Sequence, residues 1–140
     1  MSLTLLATAV WLLAVLSRQL APAPAADARW SVYSPEAVHR ALAEGRPAFV
    51  DFTAAWCITC QVNERLALDD EAVQREFARR RVALLRADWT RRDPGIAGRL
   101  KSFGRDGVPL YVLYRPGKEE PDIWPQVLTP GSILSRLNQL

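Results

Sequence analysis

From Trp30 to the carboxyl end, the hydrophobic positions change period several times, and each change marks an element. Ser34-Pro35 predicts a helix start, with a hydroxyl to cap it and a proline suited to the first turn. That helix runs to about Glu44, where Gly45 can end it. Ala48-Phe49-Val50-Asp51-Phe52-Thr53 is an apolar run holding one carboxylate, which predicts a buried strand. Helical character returns from Cys57 to about Leu68 and continues from Glu71 to Arg80, with an apolar stripe at Ala72, Val73 and Phe77. Val82 to Asp88 predicts a second core strand, and Asp93-Pro94 opens a helix through about Phe103. After Gly104 and Gly107, Leu110 to Tyr114 predicts a third strand, turned at Arg115-Pro116-Gly117-Lys118. A short strand near Ile123-Trp124 can pair with it as a hairpin, and Thr129-Pro130 caps a last helix from Gly131 to about Asn138. The order α, β, α, β, α, β, β, α predicts an α/β fold with a central mixed sheet flanked by helices. Parallel neighbours joined through helices are expected to use right-handed crossovers.

The amino terminus has a different pattern. Leu3 to Leu16 reads LTLLATAVWLLAVL, apolar apart from two threonines. That run is shorter than the ~20 residues a membrane-crossing helix needs. Arg18-Gln19 follow, and then Ala21-Pro22-Ala23-Pro24-Ala25-Ala26, a composition that makes a stiff, extended linker. Three readings stay open. One is a secretory signal, although no Lys or Arg precedes the apolar run. The others are an uncleaved anchor and the tail of a last membrane helix from a larger protein. A buried soluble helix suits the length but not the Ala-Pro stretch that detaches it. The expected organisation is residues 1–20 as a hydrophobic signal, anchor or transmembrane remnant, 21–29 as an Ala/Pro linker, and 30–140 as the folded domain.

Composition narrows the classes of function. The chain has 140 residues, 49% hydrophobic and 24% charged, which suits one ordinary globular core. The net charge is only +3, and the basic residues gather at Arg79-Arg80-Arg81 and Arg91-Arg92, a helix end and a turn. No basic stripe interleaves with aromatics, so nothing here reads as a nucleic-acid surface. The single histidine, His39, cannot build a multi-histidine metal site and reads as a surface or packing residue.

The two cysteines, Cys57 and Cys60, change the picture most. Strand 48–53 ends, Ala54-Ala55-Trp56 makes the turn, and Cys57 begins a helix. Unpaired N–H groups and the positive dipole end there stabilise a thiolate on Cys57. Cys60, one turn deeper on the same side, is the more protected of the two. Cys57 is thus expected to attack a disulfide and Cys60 to resolve the mixed disulfide. The competing readings are an inert structural bridge and half of a zinc site. The first closes too small a loop to restrict the unfolded chain much. The second lacks further cysteines.

With these residues in view, Phe49-Val50-Asp51-Phe52 followed by Ala55-Trp56-Cys57-Ile58-Thr59-Cys60 resembles the active-site segment of thioredoxin-like proteins. The nearer resemblance is to the carboxyl-terminal domain of the DsbD-type membrane thiol–disulfide interchange proteins. Supporting stretches are Ala87-Asp88-Trp89-Thr90, Phe103-Gly104-Arg105-Asp106-Gly107-Val108-Pro109 and Val127-Leu128-Thr129-Pro130. The resemblance implies a thioredoxin-like fold over about residues 30–140. It implies a cis-proline at Pro109 that faces the cysteines and holds the Val108 backbone out toward an extended partner. It makes Asp51 a buried carboxylate that trades a proton with the resolving cysteine, against the alternative of a salt-bridged structural residue. It makes Glu64 a second carboxylate that raises the thiol pKa, against a plain solvated glutamate. It places Trp56 on the docking face, with core packing as the alternative. One departure is Ala55, where many DsbD-type domains carry an acidic residue.

The function so implied is protein-disulfide reduction at the periplasmic face of the inner membrane, with residues 1–20 as anchor or export signal. A Cys57–Cys60 redox-active disulfide carries both electrons, so no cofactor and no metal are called for. The expected partners are a membrane electron-donor domain or protein, and periplasmic thioredoxin-like or disulfide-bearing proteins. The family's electron-carrying membrane domain is not in these 140 residues, so electrons are expected from a separate protein if this is the whole chain. Direction comes from the resemblance alone, since C-x-x-C proteins span about −270 to −120 mV. An oxidase or isomerase, or a non-catalytic docking module on the same fold, are the competing functions.

Overall fold

A computed structural model describes Trp11 and residues 26–140. The reading of residues 1–20 as a hydrophobic segment therefore falls outside the described residues apart from Trp11, as does most of the stretch read as a linker. A 3₁₀ turn at Ala26–Arg29 leads into strand β1, Ser31–Val32. Helix α1 spans Pro35–Ala43 and strand β2 spans Ala48–Thr53. Helix α2, Ile58–Asn63, passes directly into a π-helical turn, Glu64–Leu68, and helix α3 covers Glu71–Arg79. Strand β3 (Ala83–Asp88), helix α4 (Pro94–Ser102), strands β4 (Leu110–Tyr114) and β5 (Asp122–Ile123), and helix α5 (Pro130–Leu137) complete the described chain.

The helix starts follow their capping chemistry. Ser34, Asp70, Asp93 and Thr129 each accept a hydrogen bond from a first-turn amide, and Thr129 with Ser132 closes a reciprocal capping box. Helix α1 stops at Glu44, and Gly45 supplies the positive φ of 72° that lets the chain turn away.

The sheet order is β1-β3-β2-β4-β5. β3 runs parallel to both β1 and β2, whereas β4 lies antiparallel to β2 and to β5. This is the mixed sheet that the element order predicts. The added strand is β1, which sequence reading missed because it is two residues long and exposed on both, leaving no period to detect.

Strand alternation divides the core in two. Phe49, Leu84, Tyr111 and Leu113 face one side, against Leu68, Val73, Phe77, Ile133 and Leu137 from the π turn, α3 and α5. Val50, Phe52, Leu85, Leu110 and Val112 face the other side, against Val38, Ala41 and Leu100 from α1 and α4. All six residues of β2 are buried, so it is covered on both faces. The same alternation puts Asp51 on the Phe49 face, beneath α2, with Arg86 and Tyr111 as its cross-strand neighbours.

Candidate active site

β2 delivers the chain to the cysteines. Beyond Thr53 the backbone turns through Ala54, whose carbonyl accepts from the Cys57 amide at 3.1 Å, and α2 begins at once. Cys57 is the cap residue of that helix: its Sγ accepts from the Cys60 amide at 3.2 Å. Sulfur replaces the usual oxygen of a cap, so charge on Cys57 would be met by a helix N–H.

Cys57 and Cys60 are joined as a disulfide, with Cα atoms 5.3 Å apart. Cys57 is 8% exposed and Cys60 2%. The order of exposure follows the helical turn, but the margin is narrow because Ala54 and Val108 pack around both sulfurs. The Val108–Pro109 peptide is cis, with Val108 half-buried against the disulfide and Pro109 buried.

A second loop straps the turn before Cys57. The Trp89 amide donates to the Thr53 carbonyl at 2.7 Å, continuing the β2–β3 ladder by one bond. The Ala55 amide donates to the Thr90 hydroxyl at 2.9 Å, and that hydroxyl in turn donates to Asp88. Trp56 is 48% exposed and donates its ring N–H to the Thr90 carbonyl at 3.1 Å. The Arg92 guanidinium lies over both Trp56 and Trp89, 4.9 and 5.0 Å from the ring centroids. Trp56 is therefore at the surface yet fixed in orientation, which separates it from a core-packing residue.

Behind the cysteines lies a buried charge cluster. Asp51 is 2% exposed, and its Oδ2 is 3.6 Å from Arg86 Nε, while its Oδ1 has no protein hydrogen-bond partner among the described residues. Arg86 also donates to Glu64 Oε1 at 2.9 Å. Desolvation holds the Asp51 carboxyl at a pKa of about 7, with Glu64 pushing the same way and Arg86 opposing. Burial outweighs the ion pair because contact at 3.6 Å, with one oxygen unsatisfied, returns little of the lost hydration. Burial likewise raises the Tyr111 phenol above its ordinary range.

Of the residues singled out from sequence, the structure gathers Cys57, Cys60, Val108 and Pro109 at one surface, with Trp56 beside them. Asp51 sits below on β2. Glu64 follows one turn after Cys60 but turns its carboxylate to Arg86, at the first residue of the π turn. Its neighbour is thus an ion partner rather than bulk water.

Sequence reading passed over Arg86 and Asn63. Arg86 was legible as a charge inside an apolar strand, the counterpart of Asp51 inside its own. Asn63, 2% exposed, donates to the Tyr111 hydroxyl at 2.9 Å and to the Gln126 carbonyl at 2.6 Å, and accepts from the Leu128 amide at 3.1 Å. Nothing in its local pattern separates it from a solvated helix residue.

Comparison with known proteins agrees with this geometry. The family described as thioredoxin-like matches residues 29–116. The thiol:disulfide interchange protein DsbD 1 of Pseudomonas aeruginosa is 34% identical over 115 residues, which is 79% of this chain and 19% of that protein. The DsbD of Ralstonia nicotianae is 39% identical over 79 residues, 56% of this chain and 13% of its own length. The chain thus spans about a fifth or less of these two relatives. Among solved structures, the reduced carboxyl-terminal domain of Neisseria meningitidis DsbD superposes with a TM-score of 0.63 at 23% identity, covering 74% of this chain and 90% of that one. A thioredoxin from Thermus thermophilus gives 0.65 at 24% identity, covering 79% and 85%. At these identities the two structures speak for the fold alone.

Proposed function

This chain belongs to the thioredoxin-like family, and from that premise we propose that it is a thiol–disulfide oxidoreductase that reduces disulfides of envelope proteins. The observation that carries the reading is the Cys57–Cys60 disulfide at the start of α2, above a buried carboxylate that changes protonation near neutral pH. An inert bridge has no use for that carboxylate.

In the reduced domain, the Cys57 thiolate attacks one sulfur of the partner's disulfide. A Cys57–partner bond forms and the partner's other sulfur leaves as thiolate. Asp51 then takes the Cys60 proton, and the Cys60 thiolate attacks Cys57 Sγ. The mixed disulfide breaks, Asp51 returns its proton to one partner sulfur and water supplies the other, so the partner departs as a dithiol and the domain is left with the Cys57–Cys60 bond seen here. Two electrons have passed from the domain to its partner, carried by the cysteines throughout. A membrane-borne dithiol donor restores the cycle. The curated relatives' name, thiol:disulfide interchange, supports this assignment. The proposed place of work is the periplasmic face of the inner membrane.

Val108, held beside the disulfide by the cis peptide, serves as the edge against which an extended partner segment lies. Trp56 forms the wall beside it. Glu64, through Arg86, bears on Asp51 rather than directly on the thiols.

The test is capture. Cys60→Ser removes the resolving thiol, so partners should accumulate as mixed disulfides through Cys57 and be identified by mass spectrometry. If the variant captures nothing, and the reduced wild-type thiols resist alkylation, the proposal fails.

A further inference from the structure

Arg86 is a long side chain that must be held in one place to serve two carboxylates, and ordering an arginine costs rotamer freedom. One face of its guanidinium is covered by the Trp30 ring, 4.6 Å from the centroid. Its edge meets Glu64 at 2.9 Å and Asp51 at 3.6 Å. Trp30 is itself seated on the core, its centroid 6.2 Å from that of Phe49. It directly precedes β1, whose pairing with β3 sets Val32 opposite Arg86 and so fixes where the Trp30 ring falls.

We propose that Trp30 is a positioning residue of the redox site, its ring clamping the Arg86 guanidinium between Asp51 and Glu64 so that the base stays available to Cys60. The lead-in to the domain is on this view a working part of the site. A small cleft of about 160 Å³, lined by Thr53, Ala54, Gln61, Glu64, Arg86 and Thr90 among others, borders the Glu64–Arg86 pair. Through it Arg86 can swing toward water if the ring is removed.

The groups that face Asp51 are Arg86 from β3, Tyr111 from β4 and Glu64 from the π turn. Among the described residues, Arg86 is the one cation in this group. When it moves outward, the buried carboxylate faces Glu64 and a phenol without the counter-charge, and it holds its proton to higher pH.

The inference rests on the reading of Asp51 as the base for Cys60, so its test observes the carboxyl directly. In the full chain, the ¹³C resonance of the Asp51 carboxyl is followed by NMR as a function of pH. Trp30→Leu, which keeps apolar bulk without a π face, should raise the midpoint by about one pH unit or more, a tenfold gain in proton affinity. Trp30→Phe, with a weaker ring, should raise it by a smaller amount, and Arg86→Gln by at least as much as Trp30→Leu. An unchanged midpoint in Trp30→Leu, with Arg86→Gln shifted, overturns the proposal. If Trp30→Leu does not fold, an unchanged midpoint in Trp30→Phe does so instead. A failed disulfide capture with Cys60→Ser would leave these titrations as they are, which separates this inference from the functional one.

Discussion

Asp51 shows what one buried residue does to the chemistry and stability of the whole domain. Its carboxyl has an ordinary pKa near 3.8 in the unfolded chain and about 7 in the fold. The folded state therefore binds more protons between those values, so this group's contribution is fully present below the lower pKa and is lost as pH rises through the upper one. Asp51→Asn removes that dependence. Urea unfolding of the oxidised protein should show the variant about equal to wild type at pH 4 and more stable by a few kcal/mol at pH 8. Equal differences at both pH values would mean that Asp51 does not titrate in the fold. On the proposed mechanism, in which Asp51 is the base for Cys60, the same variant should slow release of a partner from the mixed disulfide. That Asp51 is buried could be read from an apolar strand with one carboxylate in it. That burial, rather than its ion pair, dominates could not, because the outcome turns on a separation of 3.6 Å between groups 35 residues apart in sequence.

At the scale of elements, the junction between α2 and its π turn is the part local pattern described least well. A helix from Cys57 to about Leu68 was legible, but the change of winding at Glu64, closed by the Asp69 amide on the Glu64 carbonyl at 2.8 Å, was not. Such a turn inserts a residue's worth of rotation, and such features cluster at working sites. Asn63 sits just before it and ties α2 to β4 and to the segment ahead of α5. Asn63→Ala would leave the Leu128 amide and the Tyr111 hydroxyl, both on buried residues, without this partner. We expect a loss of about 2–6 kcal/mol in urea unfolding with an unchanged m value, since each orphaned buried group costs about 1–3 kcal/mol. A change below half a kcal/mol would show that the tie is dispensable. The short strand β1 belongs at this scale too. Two exposed residues have no hydrophobic signature, and only β3 running alongside makes them a strand.

For the whole molecule, the sheet is covered on both faces by packed helices, and the disulfide lies at one end of it. The bridge closes a very short loop, whose chain-entropy contribution is about 2 kcal/mol. Reduction should therefore leave the far-UV circular dichroism unchanged and lower the unfolding free energy by no more than about that amount. A domain that unfolds on reduction would be one for which the pair is a structural staple. The apolar runs, caps and turn residues determined an α/β domain by themselves, because element type depends on the period of apolar positions and on local backbone chemistry. The spacing of Cys57 and Cys60, and their place between a strand and a helix, were equally local. What only the tertiary structure decided is the company those cysteines keep. Arg86 between two carboxylates, Trp30 across its face and Asn63 beneath the helix are contacts between distant segments. Sheet order and strand register bring those segments together, and no short-range pattern encodes either one.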